Sequence, residues 1–185
     1  MIKIILALTT ISHQTAIPVI DIHDWVLPSY GSAMVFEIKR NGKKIGIHQV
    51  DFKTNNEQLS IESKTKIRVK FLFFNAYKFD YNSLEKWKNG ELVSLLSTTN
   101  DNGKKSTVNL ASGTDIINVT INEDTHVNSL DDLKYTTNHW NPNVLAAKQV
   151  LNTITGKSNQ FQITQAESNL VSTGSGERIA THYQY

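Results

Sequence analysis

The sequence predicts a mainly β protein, an antiparallel curved sheet forming a barrel or half-barrel, with one short helix near residues 142–152. Three observations predict it. Residues 59–81 alternate along their whole length. The odd positions include Leu59, Ile61, Ile67, Val69, Phe71, Phe73, Tyr77, Phe79 and Tyr81, whereas Glu62, Lys64, Lys66, Arg68, Lys70, Lys78 and Asp80 fall on even ones. A period of two marks a strand with one buried and one wet face. Turn chemistry recurs on both sides of this run, at Asn41-Gly42, Asn89-Gly90 and Asn102-Gly103. Such pairs suit two-residue hairpins, whose central residues need positive φ. Finally, Asn141-Pro142 followed by Val144, Leu145, Lys148 and Leu151 reads as a capped helix start with helical spacing behind it.

The elements follow in order. Residues 18–31, with Trp25, Pro28 and Gly31, read as an irregular approach to the sheet. Ala33–Arg40 and Lys44–Phe52 form a hairpin about Asn41-Gly42, with Ile45, Ile47 and Gln49 sharing a face. A turn at residues 54–57 leads into the long run, which exceeds the usual strand of about six residues and therefore has to bend, with Asn75 as the expected place. Strands are predicted at 92–99, 105–110 and 116–121, a polar irregular segment at 125–138, and closing strands at 161–165, 170–173 and 178–183, with Gly156 stopping the helix. This is the pattern of a β-meander.

At 185 residues the chain suffices for one domain, expected over 17–185. The net charge of +2 is too small for a dedicated nucleic-acid binder, and the Lys64, Lys66, Arg68, Lys70 row alternates as a solvated strand face does. With no cysteine, disulfides, thiolate catalysis and cysteine-based zinc sites are excluded. Met1-Ile2-Lys3, an apolar stretch to Ile11 and small polar residues up to Ala16 read as a short secretory signal peptide over 1–16. The mature protein is therefore expected to be exported, periplasmic or extracellular. No later stretch is long and apolar enough for a transmembrane helix.

Several motifs occur in a characteristic order: Asn41-Gly42-Lys43-Lys44-Ile45-Gly46, Glu85-x-Trp87-x-Asn89-Gly90-x-Leu92, and Thr99-Asn100-Asp101-Asn102-Gly103-Lys104. His139-Trp140-Asn141, Leu151-Asn152-Thr153-x-Thr155-Gly156 and Ala180-x-x-Tyr183 follow. In this order the chain, from about residue 30 to 185, resembles an uncharacterised exported bacterial family, domain of unknown function 6134. The resemblance implies an exported β-rich domain and transfers no catalytic residue. The strand pattern alone is also similar to curved half-barrel envelope proteins such as lipoprotein carriers, a likeness of fold only.

The candidates for chemistry are few. Glu85 and Trp87 share a strand face, so a buried Trp87 implies a buried carboxylate that needs partners. Glu85 is the best acid/base candidate, with His139 or His182 as partners, although a purely structural carboxylate fits the same pattern. His126, His139, His182, Glu85 and Asp124 lack metal-ligand spacing, and no metal site or cofactor is expected. Asp101-Asn102-Gly103 only partly resembles a calcium loop, and no serine-nucleophile elbow occurs. The row Phe71, Phe73, Tyr77, Phe79, Tyr81, with Trp87 and Trp140, is either packed core or the wall of a cavity for an apolar ligand. The functional expectation is a non-enzymatic binder of a lipid or other apolar molecule. The alternatives are a hydrolase using Glu85 and His139, or a structural envelope protein that pairs through a sheet edge.

Overall fold

The computed structural model describes residues 21–55, 57–71, 74–113, 116–129, 133–160, 164–173 and 176–184. The leader expected over 1–16, together with Phe73 and the side chain of Phe71, lies outside the described residues.

Helix α1 spans Ile22–Tyr30. Asp21 caps it by accepting from the His23 backbone N–H at 3.0 Å, and Gly31, at φ 71°, ends it by donating to the Leu27 carbonyl. Ile22 and Val26, four apart, form its buried stripe. An irregular segment was expected here because Pro28 and Gly31 read as breakers. Pro28 instead occupies the last turn, and packing sustains a helix too short to persist by propensity.

Eight antiparallel strands then form one sheet in sequence order: β1 Ala33–Arg40, β2 Lys43–Asn55, β3 Gln58–Phe71, β4 Phe74–Lys88, β5 Glu91–Asp101, β6 Lys104–Ser112, β7 Ile116–Ile121 and β8 Asp124–Ser129. The predicted turns hold: Asn41, Asn89 and Asn102 take φ near 50°, each followed by a positive-φ glycine. No pairing joins β1 to β8 among the described residues, so of the expected barrel or half-barrel the closed form is corrected to an open sheet, with which the half-barrel is compatible.

The long alternating run proves to be two strands. β3 pairs with β4 from Gln58↔Lys88 to Phe71↔Phe74, with a register shift beside Lys70↔Asn75. The anticipated bend near Asn75 is thus a complete reversal. Partners such as Ile61↔Glu85 and Thr65↔Tyr81 have the same parity, so the alternation passes through the hairpin in phase.

Successive rows cross the inner face of the sheet. One runs Phe52, Ile61, Glu85, Leu95, Leu110, Val119; the next Val50, Ser63, Ser83, Ser97, Val108, Ile121; the third His48, Thr65, Tyr81, Thr99, Ser106. The core therefore passes from aliphatic to hydroxyl-bearing within two rows. Even residues of β2 face inward, and Ile47 is exposed on the opposite side, where Ile45, Ile47 and Gln49 had been read as a common face. The outer face is the solvated one: Lys64 pairs with Glu62 and Arg68 with Asp80, both at 2.6 Å.

Residues 133–157 form a strap over the inner face. Asn141 caps a turn as expected, accepting from Asn143 N–H, but the turn is a 3-10 segment of five residues, Pro142–Ala146, and the helix expected to continue to 152 is corrected accordingly. Ala147 is extended (ψ 141°), which carries the chain into β9 Gln149–Leu151; this strand pairs with β10 Ser158–Gln160 and bridges Thr136 through Leu151. Leu133, Trp140 and Leu151 of the strap and Ile22 and Val26 of α1 join Phe52, Leu59, Ile61, Trp87 and Leu95 in one apolar cluster. Each such side chain contributes about 1.5–3 kcal/mol by leaving water.

The described chain divides into two compact units; α1, β1 to β9 and the strap belong to the one spanning Val19–Asn159, whose end falls within β10. The other carries a hairpin of β11 Thr164–Thr173 and β12 Gly176–Gln184, paired from Thr164↔Gln184 to Thr173↔Gly176. No helix among the described residues is long and apolar enough to cross a membrane.

Candidate functional site

Glu85 is fully buried on β4, with its carboxylate at the junction of sheet and strap. Each oxygen receives two donors. Oε1 accepts from Thr136 Oγ1 and Asn138 Nδ2, both at 2.7 Å. Oε2 accepts from the indole N–H groups of Trp87 and Trp140, both at 2.9 Å. Burial pushes the carboxyl's pKa up, and the four donors pull it back. Indole N–H groups can only donate, so a proton on Oε2 would meet two donors and no acceptor. The Trp87 and Trp140 rings meet edge-to-face at 5.3 Å, closing the carboxylate on its apolar side.

Tyr81 continues the network one turn of pleat further. Its hydroxyl lies 3.0 Å from Asn138 Oδ1 and 2.7 Å from Thr153 Oγ1. The amide oxygen can only accept, so Tyr81 donates to Asn138 and accepts from Thr153. Asn138 Nδ2 also reaches Ser83 Oγ at 3.1 Å. Ser97 Oγ donates to the Thr153 carbonyl, and Ser106 Oγ donates to the Ile154 carbonyl at 3.3 Å. Burial drives the Tyr81 pKa up to about 12, so the phenol stays protonated. Past Thr153 the strap turns at Gly156 (φ 70°), where a Cβ would run into the Ile121 side chain.

His139, between Asn138 and Trp140, is half-buried, and burial followed by the neighbouring His48 imidazole lowers its pKa to about 4. His48 on β2 contacts Thr65 Oγ1 at 2.8 Å and stacks on Phe36 at 5.9 Å; burial lowers its pKa too. The four donors to Glu85 come from residues other than His139.

The remaining candidates are spread over different surroundings. Trp87, Trp140 and Tyr81 are buried in the core, whereas Tyr77 and Phe79 are half-buried further up β4. Burial and the Asp101 carboxylate raise the Tyr77 pKa. Asp124 and His126 are exposed on β8, and His182 lies in the C-terminal hairpin. Sequence reasoning missed His48, Thr136, Asn138 and Thr153. Phasing β2 on Val50 and Phe52 would have turned His48 inward. The strap residues carry no periodicity that could have marked them.

Fold and site together define a class: an open antiparallel meander whose inner face is partly closed by a strap, pinned through a buried carboxylate with every lone pair engaged. The chain belongs to the family described as Domain of unknown function (DUF6134), whose model matches residues 36–185. No curated protein and no solved structure matched it.

Proposed function

We propose that the protein is a non-enzymatic binder of a lipid or other apolar ligand, exported to the periplasm or beyond the cell. The observation that carries this reading is the inner face above the strap. There the rows continue through Ile38, Ile67 and Phe79 and then Val69 and Tyr77, all half-buried, beside Phe36, which is 38% exposed. An apolar wall with a tyrosine hydroxyl at its margin suits an acyl chain or a similar molecule. Glu85 supports the non-enzymatic side, because a general base needs a free lone pair and each of its oxygens already holds two donors. The hydrolase alternative lacks that lone pair. The edges of β1 and β8, unpaired among the described residues, favour a second reading, a partner strand added to the sheet.

Native mass spectrometry of protein purified from its own envelope tests the first reading, followed by titration of the delipidated protein with a fluorescent acyl probe. The expected results are a co-purifying apolar molecule and saturable probe binding that Phe79→Asp weakens at least tenfold. Delipidated protein that binds no probe, or binds it equally well with Asp at 79, refutes it. Pull-down that depends on β1 backbone pairing would favour the edge reading instead.

A further inference from the structure

We propose that the end of the sheet bearing the β1–β2, β3–β4 and β5–β6 connections is a docking surface for an anionic lipid bilayer. The inference rests on charge and register, and it holds whether or not the protein carries an apolar ligand.

Register gathers charge of one sign at this end. Arg40↔Lys43 closes the β1–β2 hairpin, and Lys104 opens β6 opposite Asp101, with Lys105 behind it. Between them stand Lys66 and Lys70 on β3 and Lys78 on β4. The hairpin ends are neighbours: Gly46↔Ile67 sets the first beside β3, and the Lys78 carbonyl accepts from Asn102 N–H at 2.7 Å beside the third. With strands roughly 4.8 Å apart, the group spreads over about 24 Å from β1 to β6.

These seven side chains are exposed, and none makes an ion pair among the described residues. Lys39, Lys44 and Arg68 add three more cations, partnered by Glu37 and Asp80. Asp101 belongs to the same end, as do Glu123 and Asp124 at the β7–β8 turn. Ten cations against five carboxylates leave +5 here, where the whole chain carries +2, so the remainder is net negative. Gathering seven unpaired cations does not help the sheet to fold, because like charges repel. They are placed for an anion outside the chain.

What the cations surround points to a bilayer among the polyanions. Ile38, Ile67 and Phe79 cross the inner face here, followed by Val69 and Tyr77, all half-buried, and the β3–β4 hairpin ends on the pair Phe71↔Phe74. A bilayer matches both chemistries, with phosphate headgroups for the lysines and acyl chains for the apolar residues. Nucleic acids and acidic polysaccharides match the charge alone. Cations dispersed over three hairpin ends also suit a field of headgroups better than a single bound phosphate.

Flotation of the full chain with vesicles tests this, using phosphatidylcholine alone or with one-third phosphatidylglycerol. At low salt the chain is expected to partition at least tenfold more strongly to the anionic vesicles. The preference should fall at least tenfold at about 1 M salt, where screening acts within roughly 3 Å. Each cation near an anionic surface contributes a factor of about five. Lys70→Glu with Lys78→Glu should therefore weaken binding at least tenfold, whereas the charge-matched Lys53→Glu with Lys86→Glu, at the other end of the same strands, should stay within about twofold of the parent. Anionic vesicles should also slow hydrogen exchange at the Asn41-Gly42 and Asn102-Gly103 turns and leave Asn89-Gly90 unchanged, a readout on the unmodified chain that decides if a variant fails to fold. Equal binding to both vesicles, equal loss in the two double variants, or tighter binding to duplex DNA or heparin than to anionic vesicles at the same salt overturns the proposal. Acyl-probe binding by the delipidated chain is read separately, so the two readings fail independently.

Discussion

Replacing Glu85 with alanine removes the acceptor on which four donors converge. Two of these can find other partners: Asn138 Nδ2 already bonds Ser83, and the Thr136 hydroxyl can rotate. Among the described residues, Glu85 Oε2 is the acceptor that the Trp87 and Trp140 indole N–H groups meet, and both rings are buried. A stranded buried donor costs roughly 1–3 kcal/mol, so the two indoles together cost about 4 kcal/mol, before any cavity left by the side chain. Relief of the desolvation cost of the carboxylate offsets part of this and makes Glu85→Gln the milder change, at about 2 kcal/mol, with its amide N–H₂ turned toward donors. Urea unfolding, followed by circular dichroism and by tryptophan emission, measures both as a fall in the midpoint at constant m. An alanine variant that loses less than about 1 kcal/mol would show that the network does not hold the strap, and the account of Glu85 as its pin would fail.

Other outcomes follow from the same geometry. Trp140→Phe keeps a ring against Trp87 but deletes one donor, and should cost about 2 kcal/mol in the same assay, less than additively with Glu85→Ala because both remove one bond. His139 titrates near 6.5 unfolded and at about 4 folded, so the unfolded chain takes up its proton first. Its contribution is complete above pH 6.5 and is lost as pH falls toward 4, roughly 3 kcal/mol in all, which a series of urea melts across that window in the parent and H139N would read as a difference. Gly156→Ala places a Cβ at positive φ against Ile121 and should cost about 2 kcal/mol, with partial recovery when Ile121 is also cut to alanine. Arg68→Ala breaks an ion pair on the wet face and should cost under about 1 kcal/mol, despite a 2.6 Å contact.

The sheet was legible because period-two alternation and Asn-Gly turns are local signals. What was misread shows where such signals end. The β3–β4 reversal carries no glycine or asparagine between Phe71 and Phe74, and the register shift beside Lys70↔Asn75 puts the pairs beyond it in like parity, so the alternation stays in phase and one long bending strand and a hairpin look alike in sequence. At α1, Pro28 and Gly31 were true as punctuation but stand at the end of the helix instead of forbidding it. Asn141 and Pro142 marked a real start, yet nothing in Val144–Leu151 reveals that Ala147 turns extended to let Leu151 bridge Thr136. For the site, the spacing of Glu85 and Trp87 on one strand face sufficed to expect a buried carboxylate in need of partners. The partners from the strap could not be read, because Thr136 and Asn138 resemble any polar loop residues until the chain brings them over β4.

The partners of Glu85 also set an order of events. Its bonds to Thr136, Asn138 and Trp140 span 51, 53 and 55 residues, and β5 to β8 lie between. Closing so long a loop is slow, whereas the β3–β4 hairpin that carries Glu85 forms from near neighbours. Through most of folding, then, a hydrated carboxylate sits in the middle of an otherwise apolar row between Ile61 and Leu95. That charge discourages the unfinished sheet from stacking on a second copy of itself, and it disappears from the surface only when the chain's own strap arrives.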